Sequence, residues 1–101
     1  MEVKIQEQDG YMVAILSGRL DTAAVPNTER AMSPLYECDK QDIIIDCTDM
    51  SYISSGGLRI FLSVLKVAEK KGLHVYIKGI SDTVRAIFAM TGFINIFEFE
   101  D

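Results

Sequence analysis

The junction between a short apolar run and a long amphipathic pattern is the feature that most constrains this chain. The run contains three consecutive isoleucines, Ile43 to Ile45, which is typical of a strand covered on both faces in the middle of a partly parallel sheet. The pattern that follows has a helical period. We therefore predict a buried strand over Asp42 to Cys47, a helix over Gly56 to Lys71, and a short loop between them.

Two adjacent hydroxyl side chains, Ser54 and Ser55, fall where this helix begins. The first backbone N–H groups of a helix have no partner within the helix, and the helix dipole is positive there. A serine in this place is ordinarily a helix cap, which stabilises by about 1 kcal/mol and implies no activity. The same N–H groups also favour a phosphate. The position therefore fits a helix cap and a phosphate-binding site alike.

The flanking segments predict strands on both sides of this unit. Residues Glu2 to Gln8 alternate as a half-exposed edge strand, and Tyr11 to Ser17 form a second strand. Between them, Asp9-Gly10 is a dipeptide that a tight turn prefers, so the two strands should form a hairpin. A further strand begins at Leu73, after the long helix, and the resulting strand-helix-strand unit should be right-handed.

Two other helices complete the predicted fold. One starts within residues 22–26, has a kink or break near Pro34, which a helix interior does not tolerate, and ends near Cys38. The last runs from a cap at Ser81 to Gly92, before a final short strand or packed tail. A chain of 101 residues makes one domain. We predict a single α/β domain over residues 1–101, with a mixed sheet of four to five strands and helices mainly on one side.

Charge and composition exclude several classes of function. The net charge is −5 and the ten basic residues form no basic face, so we expect a protein partner with a basic docking surface and no nucleic acid. The apolar stretch from Tyr11 to Gly18 is shorter than a membrane span and follows no basic segment, so we expect a cytoplasmic protein without membrane insertion. Cys38 and Cys47 lack metal-ligand spacing and are expected to be reduced and part-buried.

The sequence carries no recognisable catalytic arrangement. Its one histidine, His74, lies in a predicted strand well after the serines, and Gly56-Gly57 lacks the spacing and the lysine of a nucleotide-binding loop. Asp21, Asp46 and Asp49 would bind a divalent ion weakly if they gathered near the serines, but capping and turn formation also account for them. We therefore predict no enzyme activity, no metal and no cofactor.

Three segments resemble the STAS domain family and, within it, the bacterial anti-sigma-factor antagonists. Asp46 to Leu58 resembles the family signature, in which an apolar strand, an Asp and a short loop lead to a hydroxyl-Gly-Leu helix start whose Ser is phosphorylated. Gly18 to Asp21 resembles the family's Gly-x-Leu-Asp, and Val84 to Phe93 resembles its last helix. The resemblance implies a STAS-like fold.

The resemblance also implies a phosphorylated serine. The acceptor falls on Ser55, the Gly-Leu pair falls on Gly57-Leu58, and Asp21 is placed beside the acceptor, where it would orient the hydroxyl. The antagonists often have Asp before the acceptor, where this chain has Ser54, and a small residue or Ser after it, where this chain has Gly56. Ser54 is therefore the second candidate for the acceptor.

The function that the resemblance implies is a switch between two binding states. The unphosphorylated protein would bind an anti-sigma factor that is also a serine kinase and so free the sigma factor. Phosphorylation on Ser55 would block this binding, and a serine phosphatase would restore it. The expected partner-binding residues are Asp21, Thr48, Asp49, Ser54, Gly56, Gly57, Arg59 and Ile60.

Two alternatives remain open at this point. STAS-like domains also act as accessory subunits of membrane transporters, where the hydroxyl need not be phosphorylated, and a small anionic ligand or nucleotide would also fit a helix start. The long helix fits both the antagonist and the transporter subunit, because Ile60, Val64 and Val67 lie to one side of its core-facing stripe. Some of these side chains are expected to be left for a partner.

Overall fold

A five-stranded sheet organises residues 1–100, the part of the chain that the computed structural model describes; Asp101, the last residue of the predicted domain, lies outside it. The elements in chain order are β1 (Glu2–Gln8), β2 (Tyr11–Leu20), α1 (Val25–Ala31), α2 (Ser33–Glu37), β3 (Ile43–Ile53), α3 (Ser55–Lys70), β4 (Val75–Lys78), α4 (Asp82–Met90) and β5 (Glu98–Glu100). Short 3₁₀ turns at Thr22–Ala24 and Phe93–Asn95 precede α1 and β5.

The strands lie side by side in chain order, from β1 at one edge to β5 at the other. β1 is antiparallel to β2, and each later pair of neighbours is parallel. The predicted hairpin is confirmed, and its turn residues Asp9 and Gly10 have φ of 54° and 85°. Both values are positive, as a type I′ turn requires. The mixed α/β sheet predicted from the sequence is therefore the observed one.

The helices cover one face of the sheet. Successive side chains of a strand point to opposite faces, so the buried Ala14, Ile45 and Ile77 face the helices. The opposite face carries charged residues, among them Lys4 and Lys78. The prediction that the isoleucine run is covered on both faces is wrong for its middle member, because Ile44 lies on this opposite face and is only half-buried.

The central strand β3 is longer than predicted. The sequence predicts its end at Cys47 and then a loop, but the strand continues to Ile53 because β2 also continues, to Leu20, and the two pair along this length. The pairing contains two register shifts: between Ile15–Asp46 and Arg19–Tyr52, β2 advances four residues while β3 advances six. Extra residues of this kind are β-bulges, and they bend and twist the strand that contains them.

The other helices fit the signals that predicted them. The break near Pro34 is confirmed, because α1 ends at Ala31 and α2 begins at Ser33 with the proline in its first turn, where it removes no hydrogen bond. Ser81 caps α4 by accepting a hydrogen bond from the Val84 N–H at 3.2 Å. Within residues 1–100, no helix has both the length and the apolar character needed to cross a membrane.

The expectation that one flank of α3 is free for a partner is wrong for Ile60 and Val64. Each side chain is 1% exposed, because α1 and α2 pack against α3 and cover that flank. Val67, farther along, is half-buried. The wide apolar arc of α3 therefore belongs to the core and is explained by two neighbouring layers, the sheet on one side and the short helices on the other.

The two cysteines are free thiols, as expected from their spacing, and both are buried. Burial, followed by the negative charge of Asp46, raises the pKa of the Cys47 thiol. An unfolded thiol loses its proton above about pH 8.5. Between that pH and the raised pKa of the folded protein, the unfolded chain binds fewer protons than the folded chain, so the free energy of unfolding falls as the pH rises.

We expect urea denaturation to show this loss of stability between about pH 7.5 and about pH 10. In Cys47→Ala the decrease should be smaller, because the variant has no thiol to ionise in the unfolded chain. The replacement also removes buried atoms and lowers stability at every pH, so the slope with pH is the quantity to compare. If the free energy of unfolding fell equally steeply with pH in both proteins, the Cys47 thiol would not be the source of the decrease.

Candidate functional site

The start of α3 is held in place by Ser54. The Ser54 hydroxyl accepts a hydrogen bond from the Gly57 N–H at 3.2 Å, which makes this residue the N-cap of the helix. Its own N–H donates to the carbonyl of Leu20 at 2.8 Å, at the end of β2. The residue is only 7% exposed. Ser54 therefore joins the helix start to the sheet, and its hydroxyl is both used and covered.

Ser55 is the first residue of α3 and is exposed. Because Ser54 already provides the cap, the Ser55 hydroxyl is not needed to satisfy the backbone N–H groups of the first turn. The helix dipole is positive at this end, so added negative charge is favoured there. The two adjacent serines thus have different environments: Ser54 is buried and caps the helix, whereas Ser55 is exposed to solvent.

Gly57 lets the first turn of α3 lie against the ends of β2 and β3, and Gly56 lets it lie against Val25 of α1. A Cβ atom on Gly57 would lie 2.7 Å from Leu20 Cγ and 2.8 Å from Ile53 Cγ1, both on buried side chains. A Cβ atom on Gly56 would lie 3.0 Å from Val25 Cγ2. Gly57 is buried and Gly56 half-buried. Gly57 therefore offers no surface to a partner and serves close packing instead.

Asp21 lies beside the helix start because it follows Leu20, whose carbonyl holds Ser54. Its side chain caps the short 3₁₀ turn, with Oδ1 accepting from the Ala24 N–H at 3.0 Å. The residue is half-buried. Asp21 thus brings a carboxylate close to the serines while already holding the local backbone.

The structure separates Thr48 and Asp49 from the serines. Asp46 Oδ1 accepts from the Thr48 N–H at 3.0 Å and from the Thr48 hydroxyl at 2.6 Å, within β3. Asp49 precedes Ser54 by five positions of mostly extended chain, a span on the order of 15 Å. Across residues 1–100, no three acidic, histidine or cysteine side chains are grouped so as to hold a metal ion.

The predicted partner-binding residues therefore divide into two groups. We use the name phosphoacceptor surface, after the phosphorylation that the sequence predicts for Ser55, for the group formed by Ser55, Gly56 and Arg59 on α3 together with Asp21, all exposed or half-buried. We leave Gly57 and Ile60 out of it because they are buried, and Thr48 and Asp49 because they are exposed elsewhere on β3. Ser54 is buried and does not form part of this surface, but it caps the helix that carries Ser55.

Sequence reasoning missed one pair of residues beside this surface. The register pairs Arg19 on β2 with Tyr52 on β3, and the guanidinium carbon of Arg19 lies 4.6 Å from the centre of the tyrosine ring. The signal was present, because Arg19 belongs to the Gly-Arg-Leu-Asp segment already singled out. The pairing of Arg19 with Tyr52 could not be predicted, because Tyr52 falls in the segment that the sequence predicts to be a loop.

Comparison with known proteins identifies the family of this fold. The family model described as STAS domain matches residues 2–101. A curated anti-sigma-B factor antagonist from Staphylococcus epidermidis is 31% identical over 88 residues, which cover 87% of this chain and 81% of that protein. The relative of the same description from Staphylococcus aureus strain NCTC 8325 is 29% identical over 92 residues, which cover 91% and 85%.

A solved structure has the same fold at lower identity. The anti-sigma factor antagonist from Mycobacterium paratuberculosis superposes with a TM-score of 0.86 at 20% identity, over 97% of this chain and 83% of that one. The two proteins therefore share this mixed α/β fold. This chain belongs to the STAS domain family, as its resemblance in sequence implies.

The two serines should respond differently to truncation. We expect Ser54→Ala to lower the free energy of unfolding by about 1 kcal/mol, because the Gly57 N–H loses its cap. Ser55→Ala, on the exposed first position, should change it by less than about 0.5 kcal/mol. Urea denaturation of both variants beside the wild type checks this. Equal losses would mean that both hydroxyls hold the helix.

Gly57→Ala should destabilise the protein, although Gly→Ala inside a helix is ordinarily favourable by roughly 0.5–1 kcal/mol. The added methyl group would overlap Leu20 and Ile53, and overpacking of this kind costs about 1–3 kcal/mol. The matched control is Lys66→Ala, on an exposed position of the same helix, which should be close to neutral. Stabilisation by Gly57→Ala, measured by urea denaturation, would contradict the close contact.

Proposed function

We propose that this protein is an anti-sigma-factor antagonist whose switch is phosphorylation on Ser55. The unphosphorylated protein binds an anti-sigma factor that is also a serine kinase, and the sigma factor is released. Phosphorylation ends the binding, and a serine phosphatase restores it. The relatives named as anti-sigma-B factor antagonists support the binding role.

The observation that carries the proposal is the difference in exposure and hydrogen bonding between Ser54 and Ser55. A kinase has to reach the hydroxyl it modifies, and the Ser55 side chain is exposed at the first position of α3. Ser54 is 7% exposed and its oxygen accepts the capping hydrogen bond. Transfer to Ser54 would first require the helix start to open, so Ser55 is the acceptor we assign.

The phosphate acts by blocking an interface. It adds a charge of about −1.5 to −2, and the helix dipole favours it by roughly 0.3–1 kcal/mol, or about 2 kcal/mol when partly buried. Shifting a conformational equilibrium from 1:99 to 99:1 takes about 5.5 kcal/mol, more than this contact supplies. Where the partner has no basic group opposite Ser55, covering the phosphate leaves an unpaired charge in the interface and costs several kcal/mol, which is enough to abolish binding. The fold therefore stays the same and the partner leaves.

The domain acts as the substrate of this reaction and supplies no catalysis. The partner provides ATP and the catalytic groups, while the Asp21 carboxylate beside the helix start helps to orient the acceptor. The net charge of −5 favours a partner whose docking surface is mainly basic.

The test uses each anti-sigma factor of the host, purified separately and mixed with this protein and ATP. We expect one of them to transfer phosphate to the wild type and to Ser54→Ala, but not to Ser55→Ala. Mass spectrometry of the intact protein and of its peptides locates the phosphate. Equal phosphorylation of Ser55→Ala and the wild type would overturn the assignment.

Binding of each variant to the anti-sigma factor is measured separately by calorimetry, without ATP hydrolysis. Ser55→Asp should bind at least about a hundredfold more weakly than the wild type, since several kcal/mol are lost, whereas Ser55→Ala should bind nearly as well. The control Ser63→Asp places the same charge on an exposed position of α3 two turns from its start and should change little. Undiminished binding of Ser55→Asp would overturn the blocking role of the phosphate. Copurification with a transporter ATPase, unaffected by charge at position 55, would instead favour an accessory subunit of a transporter complex.

A further inference from the structure

The Arg19–Tyr52 pair lies at the edge of the phosphoacceptor surface. Arg19 is exposed and immediately precedes Leu20, the residue whose carbonyl binds Ser54. Tyr52 is three residues before Ser55 along the chain, so their Cα atoms are at most about 11 Å apart. A partner that covers Ser55 and extends past the ends of β2 and β3 onto the opposite face of the sheet therefore meets the guanidinium of Arg19.

The arginine is held in position by the ring. Leu20 and Ile53 are buried against α3, so the preceding residues of the two strands, Arg19 and Tyr52, point away from the helices. The guanidinium carbon lies 4.6 Å from the ring centre, which is within the range of a cation–π contact. This contact restricts a flexible side chain before any partner arrives, and less entropy is lost on binding.

The positive charge of Arg19 is not neutralised by another side chain of the described chain. The ion pairs found within residues 1–100 are Lys71–Asp39 and His74–Glu98, and neither involves Arg19. An arginine that becomes covered in an interface needs a carboxylate or a phosphate as its partner, and its planar fork binds a carboxylate through two parallel hydrogen bonds. The charge is therefore available for such a pair.

We infer that Arg19, stacked on Tyr52, binds a carboxylate of the anti-sigma factor and determines which partner docks on the phosphoacceptor surface. The inference rests on the proposed function and adds a specificity-determining contact to it. The chain as a whole is acidic, so its partner's surface is mainly basic, and one carboxylate opposite Arg19 fixes the register of the two surfaces. Partners that present a basic group at that point are rejected.

The chain offers a matched control in its second stacked arginine. Arg85 on α4 lies over Phe99 on β5, with its guanidinium carbon 5.6 Å from the ring centre, and is also exposed. β5 is at the edge of the sheet, two strands away from β3, whereas the phosphoacceptor surface lies at the ends of β2 and β3. Arg85→Ala removes the same charge and the same kind of contact at a distant place.

The experiment measures the dissociation constant of each variant for the anti-sigma factor that binds the wild type, at low and at high salt. Arg19→Ala should weaken binding about tenfold or more, the loss expected of an anchoring arginine, and should reduce the salt dependence. Arg85→Ala should change binding by less than about twofold. Arg19→Lys, which keeps the charge but loses the planar fork, should fall between the wild type and Arg19→Ala.

A double-mutant cycle tests the role of the ring. Tyr52→Leu should weaken binding, and the loss in Arg19→Ala/Tyr52→Leu should be smaller than the sum of the two single losses, because the ring acts through the arginine. Urea denaturation of each variant shows whether the fold is intact. Full additivity would contradict the supporting role of Tyr52.

The outcomes separate the two proposals. If the wild type binds an anti-sigma factor and Arg19→Ala binds as tightly, the role of Arg19 is overturned and the proposed function stands. Equal weakening by Arg19→Ala and Arg85→Ala would show a general effect of charge and would also overturn it. If the wild type binds none of the anti-sigma factors, the proposed function fails and the inference fails with it.

Discussion

The attachment of α3 to the ends of β2 and β3 is the constraint on which the rest of the site depends. Ser54 makes this attachment through two hydrogen bonds. Its hydroxyl accepts from the Gly57 N–H in the first turn of the helix, and its own N–H donates to the Leu20 carbonyl at the end of β2. Gly57 makes it possible, since any side chain there would overlap Leu20 and Ile53. The position and exposure of Ser55 follow from these contacts, because it is the next residue on a helix that has no freedom to shift.

This arrangement also explains the departure from the family pattern at Ser54. The antagonists that the chain resembles often have Asp in this place, and Asp and Ser are nearly equivalent as helix caps, because each offers a side-chain oxygen to the N–H groups of the first turn. The replacement therefore preserves the structural role. What it removes is a negative charge close to Ser55, and under the proposed function this change affects recognition by the kinase and not the fold.

Local signals predicted most of the fold, and contacts across the sheet determined the remainder. The hairpin, the break near Pro34 and the cap at Ser81 each depend on neighbouring residues, so the sequence shows them directly. The outer half of β3 is polar and exposed in places, and it is a strand because β2 runs beside it. The helix start at the two serines was predictable for the same local reason, whereas the burial of Ile60 and the stacking of Arg19 depend on chain segments far away in sequence.

The unequal lengths of β2 and β3 have a consequence for how this family member tolerates length changes. Six residues of β3 are matched to four of β2 just before the helix start. Because side chains alternate between faces, losing one residue there would exchange the inner and outer sets, turning Ile53 outward and Tyr52 inward. We therefore expect insertions and deletions to be tolerated in the connection between α2 and β3 but not in the outer half of β3.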